Sequence, residues 1–147
     1  MNNPIKELEI LTINNKSRNF LKEISKWTYF LSTIGFIGIA LMIILGVFSS
    51  VFYSTVFNTI YGNDFPFNLS LTVTVIYLLF AALYFFPVYY LFSFSKKIKT
   101  ALSLKNDDKL SDAFEMLKSH YKFIGIFTII TLSLYALLFI VTLLGVL

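Results

Sequence analysis

The chain has 147 residues, 57 % of them hydrophobic and only 14 % charged, with 17 Phe and 9 Tyr against 12 Lys plus Arg and 8 Asp plus Glu. A soluble domain of this length has too much surface to hide so many large apolar groups, and a disordered chain needs far lower hydrophobicity. The absence of Cys excludes disulfides, thiolate metal sites and a Cys nucleophile, and the net charge of +4 comes from lysines and one arginine confined to residues 6–26 and 96–122.

Residues 1–27 form a cytoplasmic tail. In its first part Ile5, Leu8 and Leu11 suit a short helix, while Lys6 to Ile10 alternates as a strand does, and neither pattern wins. From Ser17 onward Phe20, Leu21, Ile24, Trp27 and Leu31 recur at helical spacing, with Arg18, Lys22 and Lys26 elsewhere around the axis. This predicts an interfacial amphipathic helix, with Trp27 and Tyr29 as aromatic anchors. Residues 28–51 then carry no charge, enough for a first membrane span. Within it Gly35, Gly38, Gly46 and Ser49 fall near one stripe, a helix-packing surface for another helix of this chain or of a second copy. Tyr77 or Phe80 is expected to fill over that stripe.

Residues 52–69 read as an external loop. Gly62, Asn63 and Asp64 are turn-forming and Pro66 discourages a helix, while Phe57, Ile60, Tyr61, Phe65 and Phe67 suit the headgroup layer. The second span, 70–94, is heavily aromatic: nine of the 18 residues from Tyr77 to Phe94 are Phe or Tyr. Pro87 lies inside it and predicts a kink near 83–87, with a freed carbonyl open to a partner, a water or a ligand. Residues 95–122 read as a cytoplasmic helical hairpin, turned and capped by Asn106, Asp107 and Asp108. Its first arm is basic, and Lys96, Lys97 and Lys99 are expected to meet anionic lipid. Its second arm gathers Leu110, Ala113, Phe114, Leu117 and Tyr121 on one apolar face. Residues 123–147 form the third span.

The expected fold is therefore an all-α integral membrane protein, a single membrane domain of three transmembrane helices with an amphipathic N-terminal helix and a cytoplasmic helical hairpin. Five Lys or Arg precede the first span, none lies in 52–69 and seven lie in 95–122. That asymmetry puts the N-terminus and hairpin in the cytoplasm and the C-terminus on the periplasmic or external side.

Catalytic parts are scarce. His120 is the only histidine, there is no glycine-rich phosphate loop, and Asp107, Asp108, Asp112 and Glu115 among lysines read as a solvated, mixed-charge face. No catalytic, cofactor-binding or metal-binding residue is assigned. The spans contain no Asp, Glu, Lys, Arg or His of the kind that ion-coupled transport uses. Thr128, Thr131, Tyr135 and Thr142 follow helical spacing and could line a polar seam on span three. The basic blocks are short and interleaved with acids, which disfavours nucleic acid.

The string Ala113-x-x-x-Leu117-Lys118-x-x-Tyr121-x-x-x-Gly125, entering an apolar helix, together with Gly35 and Gly38, resembles small bacterial inner-membrane families of unknown function common in Bacteroidetes-like bacteria. The resemblance covers about residues 27–145 and implies a multi-pass topology without a known activity. The expected role is a non-enzymatic accessory or scaffold subunit of a larger inner-membrane complex. Its partner surface is drawn from Tyr77, Phe80, Tyr84, Pro87, Phe114, Leu117 and Tyr121. The alternative is a homo-oligomeric small channel or transporter, since three helices alone enclose little.

Overall fold

The computed structural model describes residues 13–61 and 69–145. Within them every regular element is a helix: α1 is Asn15–Tyr61, α2 is Leu69–Leu104 and α3 is Asp107–Leu143. All three are long and apolar enough to cross a membrane. At 1.5 Å per residue α1 is about 70 Å long, more than twice the thickness of a hydrocarbon layer, so it projects well beyond one.

Two expected boundaries shift. The amphipathic segment is not a separate interfacial element but the first turns of α1, which runs without a break into the apolar stretch. Asn14 caps its start by accepting from the Ser17 amide at 2.8 Å. The expected loop over 52–69 is helical as far as Tyr61. Polarity marks where a helix leaves lipid but does not by itself end the helix, and no Gly or Pro occurs between Val47 and Tyr61 to break it. The expectations for Ile5, Leu8 and Leu11, and for Gly62 to Phe67, lie outside the described residues.

α2 is the centre of the fold and packs against both other helices, while no Cα of α1 comes within 8 Å of one in α3 among the described residues. The α1 seam obeys a heptad. Arg18, Leu21, Ser25, Thr28, Ser32, Gly35, Ile39, Met42, Gly46, Ser49, Tyr53 and Val56 alternate in steps of three and four, and all are buried or half-buried. A 3.5-residue repeat keeps one stripe against a neighbour along a left-handed pair. The small residues in it, three serines and two glycines, let the backbones approach closely.

The best-packed part lies at the lysine-bearing end. Phe94, Ile98, Leu102 and Ala113 form the buried core there, with Leu21, Leu110, Met116 and Leu117 packed against it, so all three helices contribute. Farther along, burial thins out. From Leu132 to Ile140 every residue of α3 is exposed.

A two-residue turn joins α2 to α3. Lys105 adopts φ +50° and the Asn106 amide donates to the Ala101 carbonyl at 3.2 Å, closing α2 in a Schellman arrangement with Lys where Gly is usual. Asn106 then caps α3, its side chain accepting from the Lys109 amide at 3.0 Å. Asp107 and Asp108 stand in the first turn, where the helix dipole favours negative charge. The neighbouring Leu102 carbonyl, one of the four that α2 leaves without a helical partner, accepts from the Arg18 guanidinium of α1. One cation thus ties the start of α1 to the negative end of α2.

Candidate functional site

The α1–α2 seam is built from hydroxyls and glycines. Ser25 Oγ donates to the Ser95 carbonyl at 3.0 Å and Ser95 Oγ donates to the Ser25 carbonyl at 2.8 Å, a reciprocal clasp between two buried serines. At the other end Ser70 Oγ donates to the Ser50 carbonyl at 2.7 Å, and Thr74 Oγ1 reaches the Gly46 carbonyl at 3.2 Å. Apolar contact fills the distance between these bonds: Phe36 meets Phe85 and Phe92 with ring centroids 6.0 and 5.5 Å away, and Tyr29 stacks on Phe92 at 5.6 Å. Lys96 Nζ sits 4.3 Å from the centre of the same Phe92 ring.

Three of the four expected helix-packing residues belong to this seam. A Cβ on Gly35 would stand 2.8 Å from a Val88 methyl, and one on Gly46 would stand 2.8 Å from Tyr77 Cβ. Ser49 is half-buried and donates to the Gly46 carbonyl at 2.9 Å. Gly38 does not join them: a Cβ there meets nothing within 4 Å. The reason is phase, because the heptad steps from Gly35 to Ile39 and passes Gly38 on the flank.

On the other side of α2 the seam with α3 is aromatic. Phe94 lies against Phe114, Phe86 against Phe123 and Tyr84 against Phe127, with centroids 6.4, 6.1 and 6.5 Å apart. Pro87 is buried in this seam and α2 continues through it as one helix. His120 Nδ1 lies 2.8 Å from the Pro87 carbonyl oxygen. A carbonyl only accepts, so Nδ1 carries the proton. The contact is made to proline's own carbonyl, one turn beyond the Leu83 carbonyl that the missing N–H deprives of its helical partner.

These pairings also set the helices' relative heights. Ser25 faces Ser95, so Lys26 and Lys96 stand level. Phe123 faces Phe86, so Lys122 stands level with Pro87, about nine residues or roughly 14 Å from Lys96 toward the start of α2. The aromatic turns between Pro87 and Phe94 therefore run beside Lys118, His120 and Lys122, not beside the charge-free part of α3.

Of the expected partner-surface residues, several are engaged within the chain. Tyr77 covers Gly46, Pro87 is buried, and Leu117 packs on the core. Phe80, Tyr84, Phe114 and Tyr121 remain exposed, Tyr121 most of all at 66 %. On α3 the Thr131 and Thr142 hydroxyls return to the carbonyls of Phe127 and Leu138 in their own helix, and Tyr135 is exposed. Asp107, Asp108, Asp112 and Glu115 are all exposed. Among the described residues no three of His, Asp and Glu are grouped to hold a metal ion. Sequence reasoning missed the serine clasp, the Arg18 tie and the His120 contact. Only the first left a readable trace, in the heptad spacing of Ser25, Ser32 and the later small residues.

A protein-family match covers residues 56–143, the last turns of α1 and the whole of α2 and α3 up to Leu143. The chain belongs to DUF5362, a family of unknown function. The DUF5362 match takes in the two-residue turn, the aromatic seam and the His120–Pro87 contact, and leaves out most of the α1 seam. No curated protein and no solved structure matches the chain.

Proposed function

We propose that the chain is a small, non-enzymatic accessory or scaffold subunit of a larger assembly in a bacterial inner membrane, its lysine-bearing head in the cytoplasm and its C-terminus outside. The observation that carries this reading is the contrast along α3. Its first half is held in the aromatic seam, whereas from Leu132 to Ile140 it is exposed on every side. Lipid solvates such a surface, but helices of a second membrane protein cover it with better-matched packing, since association in lipid rests on van der Waals fit. Phe80, Tyr84 and Tyr121 border the same α2–α3 side and supply large, rigid contact area. Lys96, Lys97 and Lys99 fit an anionic leaflet beside the head.

The channel reading needs hydroxyls aimed at a shared path. Thr131 and Thr142 donate instead to their own helix, which favours the accessory role. Photo-crosslinking side chains at positions 80, 121 and 135 in native membranes test the proposal, with position 44, exposed on α1, as the comparison. A discrete adduct with one other membrane protein at the first three positions and not at 44 is expected. Adducts with a second copy of the chain would favour the homo-oligomer. A monodisperse chain with no protein adduct after mild extraction contradicts both.

A further inference from the structure

An open depression of about 730 Å³ lies along one face of α1 near its start, lined by Asn19, Lys22, Glu23, Lys26, Trp27 and Phe30. These positions recur at three- and four-residue steps and leave the Ser25 seam on another side of the helix. The chemistry is graded along the axis. Toward the helix start stand the amide of Asn19 and the two ammonium groups, one turn apart, and toward the charge-free stretch stand two rings. Trp27 and Phe30 meet edge-on with centroids 6.1 Å apart, and both stay more than half exposed although apolar. A lipid has the same order: a charged phosphate outside, then glycerol, then acyl chain. Two lysines against one carboxylate leave the depression with a net positive charge. Glu23 disfavours a second negative group on the ligand and can accept from a hydroxyl.

We propose that this face binds the headgroup of an anionic phospholipid of the hydroxyl-bearing, phosphatidylglycerol type. Lys22 and Lys26 take the phosphodiester, Glu23 accepts from the headgroup hydroxyls, and Trp27 with Phe30 lies along the glycerol and upper acyl chain. The site is separate from the lysines of α2.

Trp27 is the only tryptophan in the chain, so its fluorescence reports on this site alone. The test places the full chain in phosphatidylcholine vesicles containing a small fraction of either phosphatidylglycerol or phosphatidylcholine brominated near the top of its acyl chains. Brominated phosphatidylglycerol should quench Trp27 as though enriched about fivefold around it. That preference should vanish in Lys22→Gln/Lys26→Gln and persist in Lys96→Gln/Lys97→Gln. It should also survive added glycerol phosphate; loss there would mean that a free phosphate, not a lipid, is the ligand, and would overturn the proposal. Equal quenching by the two lipids in the unaltered chain, a measurement that needs no variant to fold, also overturns it.

Discussion

Replacing Gly46 by Ala places a methyl group 2.8 Å from Tyr77 Cβ. Carbon atoms rest at about 3.5–4.0 Å, so the shortfall is close to 1 Å. Tyr77 Cβ is fixed to its backbone and no rotamer moves it aside, so α1 and α2 must part. A gap of 0.5–1 Å forfeits roughly a quarter to a half of each contact's dispersion energy along the seam. The Thr74 bond to the Gly46 carbonyl, already 3.2 Å long, is stretched with it. Overpacking of this kind costs about 1–3 kcal/mol, against which Ala returns about 1 kcal/mol of helix propensity. The net loss is about 1 kcal/mol and rises with larger side chains. At Gly38, where a Cβ meets nothing within 4 Å, only the propensity gain operates. The two variants should therefore differ by about 2 kcal/mol, on the order of 5 °C in thermal midpoint. Loss of the monodisperse peak on heating in mild detergent measures this. If G46A melts with or above G38A, the close approach at Gly46 is wrong.

Other expectations follow from the polar contacts. Ser25→Ala removes one half of the reciprocal clasp and should lower stability by about 0.6 kcal/mol, up to roughly 1.7, in the same melting assay. At the turn, Asn106→Ala should cost about 1 kcal/mol through the lost cap of α3, whereas Lys105→Gly should stabilise by a similar amount because Gly takes φ +50° without strain. Arg18→Gln should speed amide exchange over residues 101–106 by roughly tenfold while leaving the middle of α2 unchanged, since a charged bond to a helix end contributes about 1.5 kcal/mol.

The spans were readable because charge is excluded from lipid, and the long uncharged runs have no other economical explanation. Asn106 was readable as a cap because its side chain and the acids after it are local chemistry. Although the sequence alone leaves Tyr77, Phe80 and a second copy open as what covers it, the glycine stripe of α1 was readable as a packing surface because small residues in a membrane helix let another backbone approach. Three features were not. The end of α1 was misplaced because Ser54, Thr55 and Thr59 are polar enough to leave lipid yet hold the helix, each returning its hydroxyl to a carbonyl three or four residues back. The pairing of Ser25 with Ser95 spans 70 residues, and no periodicity within either helix states which register the two adopt. The height of Lys122 against Phe86 depends on the two-residue turn and the packing of Phe94 on Phe114, so charge counting along single spans could not reveal it.

We propose three membrane crossings with the lysine-bearing head on the cytoplasmic side, and the chain's lack of cysteine gives a clean background for testing that arrangement. Single cysteines at positions 64 and 107, treated with a membrane-impermeant maleimide before and after permeabilisation, measure this directly. Position 64 should label in intact spheroplasts, and position 107 only once the membrane is opened. Labelling of position 107 from outside, or of both positions from the same side, would contradict it.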